Sequence, residues 1–130
     1  MVKLISELMD EHRNIEEYTA RLLNIFVREH GRGVDSVDDL RRNLEGLMDL
    51  LKVHMDFEER EIYPLLGEGD SIPLLREHIR IMGIFRDTIK RIESINVARR
   101  IRLISRMIRE HIDREEEALR HYISIHEHNK

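Results

Sequence analysis

Cysteine is absent from the 130-residue chain, and its absence excludes a thiolate zinc site, a cysteine-ligated iron–sulfur cluster, a disulfide and a cysteine nucleophile. Any soft metal ligation falls to the eight histidines. Proline and glycine are scarce, two and six residues, which leaves few breaks and predicts long helices joined by short connections rather than a β fold or a disordered chain. No run of about 18 apolar residues occurs, and the opening "MVKLISELMDEH" carries acidic residues where a secretory segment needs an apolar core. The expectation is a soluble, cytoplasmic protein with no membrane partner. The balance of charge is slightly acidic, −4 with a pI near 6.1, and gives no global reason to bind nucleic acid. Arg99, Arg102, Arg106 and Arg109 form a basic stripe, but no recognition motif accompanies it. It reads as a solvated face able to pair with carboxylates, and no nucleic-acid partner is expected.

Charged residues make up 37% and hydrophobic ones 41%, the balance of amphipathic helices around one core. The length predicts a single domain over residues 1–130. Apolar residues recur at three- and four-residue steps in four segments. Ile5, Leu8, Ile15, Leu22 and Phe26 mark the first, which "GRG" at 31–33 ends. Leu40, Leu44, Leu47 and Leu51 mark the second, opening after the capping candidates Asp35 and Ser36 and ending near "LLGEGD". The third runs from about Ser71 through Leu74, Ile81, Phe85 and Ile92, with Pro73 in its first turn. The fourth runs from about Asn96 through Ile101, Ile104, Ile108, Tyr122 and Ile125. An all-α, up-down-up-down antiparallel four-helix bundle is the simplest packing.

Polar residues interrupt all four stripes. The path from Leu8 to Ile15 lands on His12, and that from Leu74 to Ile81 lands on His78. Past Leu51 it meets His54 and Glu58; past Ile108 it meets His111 and Glu115. A buried carboxylate or imidazole needs partners, and six such intrusions need a common one. In an antiparallel bundle the early His12 and His78 lie beside the late His54/Glu58 and His111/Glu115. At about 1.5 Å rise per residue all six fall in one layer.

The hexamers "HMDFEE" at 54–59 and "HIDREE" at 111–116 both read His-x-Asp-x-Glu-Glu. Their i, i+4 His and Glu share a helix face, which is metal-ligand spacing. Imidazole and carboxylate without sulfur suit iron, manganese or zinc, and the set is too large for one tetrahedral zinc. Two metals about 3.5–4 Å apart, bridged by Glu58 and Glu115 with two histidines each, use it fully. The prediction is a pseudo-twofold cage with one histidine helix and one His-x-x-x-Glu helix per half. Apolar layers flank it: Ile15, Leu51, Ile81 or Met82 and Ile108 on one side, Leu8, Leu74 and Leu119 on the other. No histidine has a glutamate three positions before it, so the Glu-x-x-His element of ferritin-like di-iron proteins is absent.

The order His12, His54-x-x-x-Glu58, His78, His111-x-x-x-Glu115, with "EEREIYPLL" after His54, resembles the hemerythrin-like (HHE, cation-binding) family over about residues 4–126. The resemblance implies a hemerythrin-like bundle with a non-haem, oxo- or hydroxo-bridged pair of iron ions, bridging glutamates and terminal histidines. Manganese or zinc are the alternatives. The chain departs from hemerythrin proper where Leu74 replaces the first histidine of a His-x-x-x-His pair, and where Glu115 at i+4 replaces a more distant aspartate. It is similar instead to members that sense dioxygen or nitric oxide or repair iron–sulfur centres. The cysteine-bearing region of the repair type is missing here.

The expected function is binding of dioxygen or nitric oxide at an open iron position, for sensing, storage or scavenging. The alternatives are a di-iron oxidoreductase acting on oxygen, peroxide or nitric oxide, iron–sulfur repair, and a metal-stabilised iron-buffering protein. Whether the protein is an enzyme is left open, and no nucleophile set or phosphate loop can be named. His30, His121, His126 and His128 read as surface residues. Asp56, Glu59, Asp113 and Glu116 read as the solvated part of the hexamers, with hydrogen bonding to the ligand histidines as the second reading. Tyr122 reads as a packing residue.

Overall fold

Leu40, Leu44, Leu47 and Leu51 are all buried, because steps of three and four keep them on one face of a helix. The same pattern organises the rest of the computed structural model, which describes the backbone of residues 2–29 and 34–128 and the side chains of residues 3–22 and 37–126. Helix α1 spans Val2–Glu29 and α2 spans Val34–Phe57. A single π turn, Glu58–Ile62, leads into the short helix α3, Tyr63–Leu66. Helix α4 spans Glu68–Lys90 and α5 spans Val97–His128. The described residues contain no strand, and no helix among them is long and apolar enough to cross a membrane.

The four long helices form a ring in which α1 packs on α2 and α5, and α4 packs on α2 and α5. This is the four-helix bundle that the stripes predict. Its core is divided. Ile15, Leu22, Leu44, Leu51, Phe85, Ile104 and Ile108 belong to one apolar cluster. Ile5, Leu8, Ile62, Tyr63, Leu74 and Leu119 form a second. Six buried polar side chains lie on the stripes between them.

Local chemistry sets the connections. Gly67 has φ 83° and ψ 160°, a combination open essentially to glycine alone, and it turns the chain from α3 into α4. Asn96 caps α5, its Oδ1 accepting the Arg99 N–H at 3.1 Å. Arg100 reaches across the α4–α5 turn to Asp87 at 2.8 Å. Two buried threonines satisfy their hydroxyls within their own helices, Thr19 on the Ile15 carbonyl and Thr88 on the Ile84 carbonyl.

Several boundaries differ from the stripe reading. The second helical run ends at Gly67, within "LLGEGD" as expected, but the π turn at Glu58–Ile62 interrupts it. Helix α4 starts at Glu68, so Pro73 lies in its second turn, beside the exposed Gly69 whose carbonyl can turn to water. Helix α2 already includes Asp35 and Ser36, whose side chains lie outside the described residues, as do Phe26 and the "GRG" stop. Tyr122 is only half-buried and Ile125 is 45% exposed. Helix α5 runs antiparallel to α1, and seven residues beyond Glu115 bring it level with the first turns of α1. There Tyr122 meets His126 edge to face.

Candidate metal centre

The dividing layer consists of His12 from α1, His54 from α2, Glu58 at the start of the π turn, His78 from α4, and His111 and Glu115 from α5. Both glutamates are fully buried and the histidines nearly so. Their donor atoms fall into two quartets, each within 4.8 Å: His12, His54, Glu58 and Glu115, and Glu58, His78, His111 and Glu115. Two histidines belong to each half, and both glutamates belong to both.

Each carboxylate divides its oxygens between the halves. Glu58 Oε2 lies 3.2 Å from His54 Nε2 and 3.4 Å from His12 Nε2, while its Oε1 lies 3.2 Å from His78 Nε2. Glu115 Oε1 lies 2.7 Å from His12 Nε2, and its Oε2 lies 3.2 Å from His111 Nε2. In the second half, His78 Nε2 and His111 Nε2 are 2.9 Å apart. Four imidazole Nε2 atoms therefore converge on two oxygen pairs.

The outward nitrogens are held by other carboxylates. His12 Nδ1 meets Glu116 Oε2 at 2.8 Å, His54 Nδ1 meets Glu11 Oε2 at 2.7 Å, and His111 Nδ1 meets Glu77 Oε1 at 2.7 Å. The second oxygen of Glu77 accepts from Arg114 Nε, an exposed guanidinium. Such partners place the proton on Nδ1 and leave Nε2 a lone pair facing inward, the arrangement of a metal-binding histidine. His78 is the exception. Its Nδ1 is buried without a hydrogen bond, with Glu59 Oε2 3.8 Å away.

Tyr63 is the seventh polar group of the layer. Its hydroxyl donates to Glu115 Oε2 at 2.5 Å and lies 2.8 Å from His78 Nε2. The π turn brings it there: bonds of i to i+5 widen the turn, so that Ile62 and Tyr63, four and five residues beyond Glu58, are both buried.

Charge and burial oppose one another throughout the site. Burial raises the Glu58 carboxyl, but the close approach of the His12, His54 and His78 imidazoles outweighs it and holds the group far below the carboxylate range. Burial lowers His12, yet its contacts with Glu58 and Glu116 leave it above its ordinary value. His111 is pushed down to about 4 by burial and by the neighbouring His78. Burial and the carboxylates around it raise the Tyr63 phenol.

The donor set fits a pair of divalent or trivalent cations. Glu58 Oε1, fully buried, has no hydrogen-bond partner, and with His78 Nε2 it faces the centre of the second quartet. An ionised oxygen in that position is strongly destabilising unless a cation neutralises it. On the inner side of the layer lies a void of about 10 Å³ walled by Ile15, Leu51, Met55, Ile81, Ile108 and Ile112 with His54, Glu58 and His111. A groove of about 580 Å³ between α1 and α2, with Leu50, Val53 and Phe57 on its walls, reaches Ile15 and His54 from outside. Those two residues separate the groove from the void.

All six residues named by the stripes, His12, His54, Glu58, His78, His111 and Glu115, meet in this layer. The helical steps missed Tyr63, Glu11 and Glu77. For the two glutamates a signal exists, since each immediately precedes a ring histidine ("EH" at 11–12 and 77–78) and pairs with the ring histidine of the next helix. Glu116 corrects the expectation of a solvated residue, whereas Asp56, Glu59 and Asp113 are exposed. His121 and His126 are exposed as expected, while His30 and the side chain of His128 lie outside the described residues. The two halves are also less equivalent than the duplicated hexamer implies: the first has a carboxylate on both outward nitrogens, the second on one, with a phenol added.

A family model described as "Hemerythrin HHE cation binding domain" matches residues 3–122. Comparison with curated proteins gives no match, and neither does comparison with solved structures.

Proposed function

The chain belongs to the hemerythrin HHE cation-binding family, and from that footing we propose that its buried layer holds two iron ions and binds dioxygen or nitric oxide. His12 and His54 would hold one ion and His78 and His111 the other, with Glu58 and Glu115 shared between them. The observation that carries this reading is the division of each carboxylate between the two quartets, one oxygen to each half, which is the donor arrangement of a bridged pair. A pair of ferrous ions supplies an electron-rich centre with open positions for a diatomic ligand.

The protein's part is to hold, orient and exclude. Glu11, Glu77 and Glu116 fix three imidazole rings with Nε2 inward. The void of about 10 Å³, room for little more than one water molecule, is walled by five aliphatic side chains and sulfur-bearing Met55 beside the ring residues, a lining that favours a small uncharged ligand over ions and bulk water. The α1–α2 groove gives such a molecule an approach that ends at Ile15 and His54. The test is to mix the reduced, iron-loaded protein anaerobically with dioxygen or nitric oxide and record its visible spectrum. A ligand-dependent absorption change supports the reading. A silent spectrum, with metal still raising the melting temperature, would mean an iron-buffering protein instead.

A di-iron oxidoreductase acting on oxygen, peroxide or nitric oxide is the second reading. The hydrogen bond from His111 Nδ1 to Glu77, a carboxylate that is itself partly exposed, favours it, because turnover requires protons to reach a closed site. Sustained consumption of peroxide or nitric oxide with a supplied electron donor distinguishes it from reversible binding.

A further inference from the structure

The contacts of Tyr63 all fall in one half of the layer. Its hydroxyl oxygen is 2.8 Å from His78 Nε2, 3.5 Å from His111 Nε2 and 2.5 Å from Glu115 Oε2, the oxygen that faces His111. Donors bonded to one cation at about 2.0–2.2 Å stand roughly 2.8–3.1 Å apart when adjacent. The phenol oxygen already sits at that separation from His78 Nε2, and its distances to Glu115 Oε2 and His111 Nε2 bracket it on either side. Among the described residues nothing comparable stands beside His12 and His54, whose polar contacts there are with Glu11, Glu58, Glu115 and Glu116. A packing role for Tyr63 leaves two features unused. Phenylalanine would fill the same space, and a regular helix would not carry the residue to this position. The π turn does, and such turns occur frequently at functional sites.

We propose that Tyr63 is a fifth protein donor to the cation held by His78 and His111, a tyrosinate ligand that the His12/His54 position lacks. The inference rests on the two-ion reading above. On coordination the phenol O–H bond breaks and an oxygen–metal bond forms without change of oxidation state, and the proton leaves to solvent as for other ligands that deprotonate on binding metal. The second cation then has His78, His111, Glu58, Glu115 and Tyr63; the first has four protein donors. The more open position is therefore at His12 and His54, the half whose His54 forms the end of the α1–α2 groove. A hard phenolate oxygen also favours the trivalent state of the cation it binds. The two ions would differ electronically despite the shared bridges.

The test loads the full chain and its Tyr63→Phe variant with ferrous iron, oxidises both, counts iron per chain, and records resonance Raman spectra excited in the visible band. The expected wild-type result is two irons and the ring vibrations of an iron-bound phenolate. Tyr63→Phe should lose those vibrations and bind its second iron on the order of tenfold or more weakly, with the first iron unaffected. Tyr122→Phe, which alters a residue packed on His126 at the bundle end, should keep the signature. Two irons in the wild type without phenolate vibrations would overturn the proposal and leave the two-ion reading standing, with Tyr63 reduced to a hydrogen-bond donor on Glu115. Failure of the wild type to take up iron would overturn both. The wild-type spectrum decides the matter even if Tyr63→Phe does not fold.

Discussion

Glu116 Oε2 accepts a hydrogen bond from His12 Nδ1 at 2.8 Å, whereas Glu59, its counterpart in the earlier hexamer, stops 3.8 Å short of His78 Nδ1. The duplicated motif has the same letters and different work. Glu116→Gln removes the charge that orients and polarises a ring imidazole and should weaken metal binding roughly 10- to 100-fold. Glu59→Gln should change it several-fold less. Metal titration of the two variants checks the contrast, and equal effects would mean that the distances do not matter.

Shared and unshared donors predict different stoichiometries. Glu58→Ala removes an oxygen from both quartets and should lower occupancy at both positions. His12→Ala should leave the His78/His111 position filled, and His78→Ala should leave the His12/His54 position filled. Iron per chain after desalting distinguishes them.

The stripes of Leu8 to Ile15 and Leu51 to Glu58 made the inward positions legible, because a regular helix repeats its facing residues every three or four steps. That regularity also concealed Tyr63. Five residues beyond Glu58 is off the stripe of an α-helix and near it only after a π turn, and no residue in "EEREIYP" signals such a turn. Glu11 and Glu77 escaped for another reason: they lie off their own helices' stripes and act across the interface on His54 and His111. Spacing within one helix carries no information about a partner on the next. Tyr122 and Ile125 show the converse error, since they keep the period of the stripe yet are half-buried and exposed at the bundle end.

The metal-free chain should be most stable near pH 6.5. His111 has a folded value of about 4 against an ordinary 6.5, so between those values the unfolded chain takes up a proton that the folded one refuses. The stability it contributes is full above 6.5 and falls by about 3 kcal/mol as pH drops through that window. His12 has a raised folded value, so its contribution is full below 6.5 and is lost as pH rises through that higher value. Glu58, held far below the carboxylate range, stays ionised in the folded chain across both windows. Melting temperature against pH should therefore peak, and His111→Gln should flatten the acid side.

Two glycines test the frame rather than the site. Gly67→Ala forces a side chain into φ 83° and ψ 160° and should destabilise by about 1–3 kcal/mol. Gly83 is exposed within α4, with nothing within 4 Å of an added Cβ. Gly83→Ala should therefore stabilise by about 1 kcal/mol, with iron content unchanged. Urea unfolding of the metal-free variants measures both.

The proposal that one buried layer holds two cations underlies the metal-binding outcomes. It is tested most directly by anaerobic titration of the metal-free chain with ferrous iron. Uptake should saturate at two equivalents per chain, with tight binding lost in Glu58→Ala. Saturation at one equivalent, or uptake that survives Glu58→Ala unchanged, would contradict it.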